Sequence, residues 1–138
     1  MFKPINPKPE QLIFWAVKAA TTVYKGQLVK NDSGAAPVAA AHTGATILGV
    51  ALEGGTAGEV IPIYPVFGAV FDVDFLTAGT KKTFADTDLG SAFDIAVASN
   101  NQAVDPDDTV GGFLHVVGYN NEMQTVRVKV EVADTLLA

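Results

Sequence analysis

The chain has 138 residues, a usual size for one domain, with no cysteine, 15 acidic against 9 basic residues and a net charge of -6. The missing cysteines exclude a disulfide framework and a thiolate metal site, and they suit folding in a reducing cytoplasm. The acidic balance speaks against nucleic acid and anionic membrane as partners, and the early apolar run Leu12 to Val17 is far too short to span a bilayer.

Met1-Phe2-Lys3-Pro4 lacks the charged, apolar and cleavage regions of a signal peptide, so no export signal is expected. Residues 1–11, "MFKPINPKPEQ", place prolines at 4, 7 and 9, which block helix and ladder alike and favour an extended arm. Phe2 and Ile5 lie in this arm, and it leads straight into "LIFWAV". It reads either as a solvated terminus or as an arm that orders on a partner.

From Leu12 onward one mainly β domain is expected, running to residue 138, as an antiparallel barrel or sandwich with at most short helical turns. "LIFWAV" reads as a strand, with a brief helix through Ala20 as the alternative. "QLVK" (27–30) meets the turn cluster "NDSG", "PVAAA" (37–41) returns, and "ATILGVAL" (45–52) follows. In "EVIPIYPVFGAVFDVDF", period two puts Ile61, Ile63, Phe67, Phe71, Val73 and Phe75 on one face, against Tyr64, Asp72 and Asp74. Pro62 and Pro65 cannot donate to a ladder, so an edge or bulge is expected there, and Gly68 marks a bend between sheets.

A polar stretch, 77–91, separates two halves, 20–75 and 90–132, whose hairpins share an order of events and suggest a duplication. "AFDIAVA" (92–98) reads as a strand, "SNNQAVDPDDTVGG" as a long turn and "FLHVVGY" (113–119) as a strand. "NNEM" closes a hairpin onto 124–132, where Val126, Val128, Val130 and Val132 alternate with Arg127, Lys129 and Glu131.

"ALEGGTAGEV" (51–60) raises the question of a phosphate loop. A P-loop needs GxxxxGK[ST] between a strand and a helix; here no lysine follows Gly58, a strand pattern resumes, and Glu53 and Glu59 would repel a phosphate. A hairpin loop is expected, its glycines supplying positive φ. No enzyme is expected either. Of the two histidines, His115 sits in a strand and His42 in a turn without a nearby carboxylate, and no serine lies in a nucleophile elbow. Asp86, Asp88 and Asp94 fail the EF-hand pattern, because positions 5, 6 and 12 hold Gly90, Ser91 and Val97; they and "DPDDT" (105–109) read as solvated acidic turns. No metal or cofactor is expected.

The stretch 23–70 resembles the small capsid decoration, or cement, proteins of tailed bacteriophages. The pieces that carry the likeness are Lys25 to Val29, Val38 to Ala39, Ile47 to Ala51, Ala57 to Val60 and Val66 to Val70. The later "DLGSAFDIAV", "FLHVVGY" and "TVRVKV" are similar to the second half of such head proteins, so the likeness covers roughly residues 20–132 as a pattern of hydrophobics and glycines. It implies a non-enzymatic virion protein on the capsid exterior, made in the host cytoplasm, often a homotrimer, with the major capsid protein as partner. On that basis Phe2, Pro4, Ile5, Pro7, Pro9, Leu12, Phe14 and Trp15 are the expected contacts to the capsid or a neighbouring subunit. The 77–91 stretch lies outside the signature. The rival readings are a tail-tube or head–tail connector protein, which would form rings, and a carbohydrate-binding module, for which one tryptophan and three tyrosines offer few platforms.

Overall fold

The computed structural model describes residues 1–41, 46–131 and 134–135; His42 and Val132 lie outside them. The strands run β1 (Lys3–Pro4), β2 (Ile13–Ala16), β3 (Thr22–Val23), β4 (Leu28–Asn31), β5 (Ala35–Pro37), β6 (Ile47–Ala51) and β7 (Gly55–Thr56). They continue with β8 (Val60–Pro65), β9 (Phe71–Asp74), β10 (Ala92–Phe93), β11 (Ile95–Ala98), β12 (Asn101–Val104), β13 (Leu114–Asn120) and β14 (Thr125–Val130). Two short 3₁₀ turns, Pro9–Gln11 and Asp86–Asp88, lie between the strands.

The strands form two five-stranded antiparallel sheets, β1-β9-β14-β13-β10 and β2-β8-β6-β4-β5, with ribbons β11-β12 and β3-β7 beside them. The sheets face each other across one large core. Phe71, Val73, Phe93, Leu114, Val116, Val126 and Val128 of the first sheet meet Leu28, Val50 and Tyr64 of the second. Of the barrel and sandwich alternatives, the sandwich is the one formed. The second sheet curls, since Val17 bridges Ala35 and the Lys18 N–H donates to the Ala35 carbonyl, but it does not close.

The second sheet buries its other face as well, around Val17, Val29, Leu48, Ile61 and Ile63. Val23 of β3 joins this smaller cluster, and Gly55 of β7 lies so close that an added Cβ would stand 2.7 Å from Ile61. The stretch 51–60 is thus a hairpin loop between β6 and β8, as expected, but its glycines do different work. Gly58 alone takes positive φ, at 84°, whereas Gly54 and Gly55 permit close approach.

Four expectations are corrected. The period-two face does not run unbroken from 61 to 75: a turn after Val66 resets it, so Tyr64 is buried and Phe67 is 60% exposed. Gly68 lies in that turn, where the chain leaves the second sheet for the first. β8 is no edge, because β2 and β6 flank it. The register explains why its prolines are tolerated. Pro62 turns its missing donor toward Leu52, just past the end of β6, and Pro65 toward the chain before β2 begins.

The strand expected over 92–98 breaks at buried Asp94 into β10 and β11, and the turn region after it contains β12, which pairs back on β11. Gln102 makes that possible. Fully enclosed, its Oε1 accepts from the Leu28 N–H (2.6 Å) and its Nε2 donates to the Leu28 carbonyl (3.0 Å), so the side chain acts as a piece of strand for β4. The hairpins β6-β8 and β13-β14, read as related, belong to opposite sheets.

The last correction concerns the arm. Phe2 is 1% exposed within the large core, β1 pairs with β9, and the Ile5 N–H donates to the Val70 carbonyl. Pro4 occupies a position where its missing donor faces the open side of the edge strand, so the ladder loses nothing. Further on, the Lys8 N–H donates to the Tyr64 hydroxyl, which donates to Gln11. The arm walls one side of the sandwich, crossing from the edge of one sheet to the edge of the other.

Candidate interaction surface

β2 is the outer strand of the second sheet, and its register with β8 sorts the "LIFWA" side chains. Ile13 and Trp15 face the smaller cluster with Ile61 and Ile63, while Phe14 sits opposite Pro62 and Ala16 opposite Val60. That second set continues the face that carries Tyr64 and Val50 into the core, but it runs beyond the cover of the first sheet. Phe14 is therefore 66% exposed and Val60 63%, beside exposed Ala16 and half-buried Pro62. An alternating strand that is apolar on both faces needs two covers; here one is missing over two rungs.

The residues expected as contacts separate accordingly. Phe2 is core, Pro4 and Ile5 are half-buried against β9 and its approach, and Pro7 is exposed. Pro9 begins the 3₁₀ turn, Leu12 packs on the large core, and Trp15 packs half-buried on the smaller one. Of these eight, Phe14 alone is a largely exposed aromatic. Ala16, Val60 and Pro62 were not foreseen, although apolar residues at 60, 62 and 64 alternating with Ile61 and Ile63 carried the signal.

The charges near this patch are organised. Lys18, just past β2, is held by Asp32 at 2.7 Å, and the hydrogen bond and the charge of that ammonium keep the Asp32 carboxyl below its ordinary range. Glu59 accepts from the hydroxyl and N–H of Thr56, which lower its pKa too, so it stays ionised beside Val60.

Elsewhere exposed apolar side chains such as Phe67, Val110 and Met123 sit in turns, and the outer face of the first sheet carries charge. On the outer face of the first sheet Lys3, Asp72 and Arg127 form a cross-strand rung, with Arg127 Nε 3.1 Å from Asp72. They line a cleft of about 560 Å³ with Asp74, Tyr119 and Met123. The three aspartates compared with a calcium loop are drawn apart. Asp86 accepts from Tyr119, whose hydroxyl pKa is raised by that bond; Asp88 binds Lys81; Asp94 caps the Ile95 N–H. Among the described residues no group of three or more histidines or carboxylates is placed to hold a metal ion. His115 meets Glu131 across the strand end, at 2.5 Å.

The 77–91 stretch, unassigned from sequence, closes one end of the core. Phe84 inserts edge-on between Phe75 and Phe93, with ring centroids at 4.9 and 5.2 Å. Asn121 holds both the N–H and the carbonyl of Phe84, and Lys81 lies over the Phe84 and Phe93 rings. Among the described residues no helix is long and apolar enough to cross a membrane. Comparison with family models, with curated proteins and with solved structures returned no match.

Proposed function

We propose that this chain is a structural virion protein that binds the outer surface of a phage capsid and braces it. The observation that carries the reading is the Phe14–Val60 patch: an apolar face two rungs long, on paired strands at one rim of an acidic domain. An acidic body suits the capsid exterior, away from packaged DNA. The likeness of residues 20–132 to decoration proteins supplies the partner, the major capsid protein, and the association state, a homotrimer, in which three patches act together. The compact sandwich, tied by its own arm and by the 77–91 strap, is a body suited to bridging neighbours without deforming.

The test is negative-stain imaging of phage heads from an infection in which the gene is disrupted, before and after adding purified protein. Added density at regular surface positions supports the reading; bare heads at saturating protein refute it. Sedimentation equilibrium decides the association state, a mass of three chains being expected.

A further inference from the structure

The four outer strands of the two sheets are not protected equally. β1 carries Lys3 and Pro4, β10 has two residues, and β5 carries Pro37 and is joined by Val17 and Lys18. Charge, proline, shortness and a covering segment are the usual guards against unwanted pairing. β2, Ile-Phe-Trp-Ala, has no charge, proline or glycine among its four residues.

Its open groups follow from the register. The Val17 N–H donates to the Glu59 carbonyl, so Trp15 and Ile13 also bond toward β8, and Phe14 and Ala16 turn theirs away. The Ala16 carbonyl lies against Gly34, which leaves the N–H and carbonyl of Phe14 and the N–H of Ala16 facing outward. The exposed face of Phe14, Ala16, Val60 and Pro62 stands beside these groups.

We propose that the free edge of β2 is a strand-acceptor site. An extended, apolar segment of a partner polypeptide, with basic residues at its ends, pairs with Phe14 and Ala16 as a sixth strand of the second sheet. Area selects this occupant over a second folded copy. The exposed apolar surface of the four residues is roughly 300 Å², well under the approximately 800 Å² per partner that a stable globular interface needs. An extended segment makes up the difference with main-chain bonds, its alternate side chains lying on Phe14 and Val60. Charge selects the ends. Glu10 precedes β2 and ionised Glu59 stands opposite its far end, while Lys18 is already neutralised by Asp32. The site does not depend on the partner being a capsid subunit.

The test uses the full chain and a seven-residue probe peptide of alternating valine and threonine with a lysine at each end. Amide hydrogen exchange is followed by NMR. In the free protein the amides of Phe14 and Ala16 exchange at least about 100-fold faster than those of Trp15 and Val17. Millimolar peptide slows Phe14 and Ala16 by tenfold or more. The same peptide N-methylated at the amides facing β2 does not, and Phe14→Lys abolishes the effect while Phe67→Lys, on an exposed turn, preserves it. Absence of slowing at Phe14 and Ala16, or equal slowing by the N-methylated peptide, overturns the proposal. Heads that stay bare while the peptide binds refute the decoration reading alone; heads that are decorated while the peptide is ignored refute the strand site alone.

Discussion

Gln102→Leu separates the account given for β12 from a simpler one in which that ribbon merely rests on the core. Leucine fits the volume, so the change is one of hydrogen bonding. The Leu28 N–H, in a residue with no exposure, loses the Gln102 Oε1 acceptor, whereas its carbonyl keeps the Val38 N–H at 3.0 Å. An orphaned buried donor costs about 1–3 kcal/mol and the second lost bond about 0.5–1.5, partly offset by burying an apolar group in place of an amide. A net loss of about 2 kcal/mol is expected, or roughly 6 °C in Tm for a chain of this size. Gln102→Glu sharpens the test. Its carboxylate can accept from Leu28 but must face the Leu28 and Val38 carbonyls, so its folded pKa rises above the unfolded value of about 4.3. A raised folded pKa gives stability below the unfolded pKa that is lost as pH rises, so this variant should approach the wild type near pH 4 and fall behind it at pH 7. Urea midpoints at the two pH values are the assay. Midpoints unchanged in both variants would refute the strand-mimicking role of Gln102.

Phe84→Ala empties a site between two aromatic rings and should cost about 3–5 kcal/mol, with limited proteolysis now cutting within 77–91 first. Asp88 is pulled up by burial but lowered further by Lys81 and the Ala85 N–H. A depressed folded pKa lends stability above the unfolded pKa that is lost as pH falls, so the protection of the strap amides, relative to intrinsic exchange at each pH, should fall below about pH 4. Gly49→Ala should prevent the β6-β8 register and give no cooperative unfolding transition, because its Cβ would lie 2.0 Å from the Tyr64 carbonyl oxygen. Trp15→Ala should lower the urea midpoint, whereas Phe14→Lys should leave it within about 0.5 kcal/mol. Deleting residues 1–10 removes Phe2 from the core, so it should destabilise the domain by about 3 kcal/mol or more.

How much of this was legible in the sequence depends on whether the deciding contacts were local. The alternation of Val126, Val128 and Val130 is a local signal, and β14 lies where it points. The prolines of the arm were local too, but the burial of Phe2 depends on the Gly26 carbonyl and on β9, far along the chain. Period two misplaced Tyr64 and Phe67 because it cannot see a turn that resets the count. β12 was hidden because asparagine and glutamine read as turn formers until Gln102 finds a buried main chain to serve. The site was half visible: Phe14 was one of eight residues expected as contacts, but Val60 joins it only through a pairing between strands more than forty residues apart.

The decoration claim is tested most directly by cosedimentation of the protein with phage heads that lack it, titrated with wild-type chain and with Phe14→Lys. Saturable binding, at a stoichiometry divisible by three and weakened at least about tenfold by Phe14→Lys, is the predicted result. Wild-type protein left wholly in the supernatant, or a variant that binds as tightly as the wild type, would contradict it.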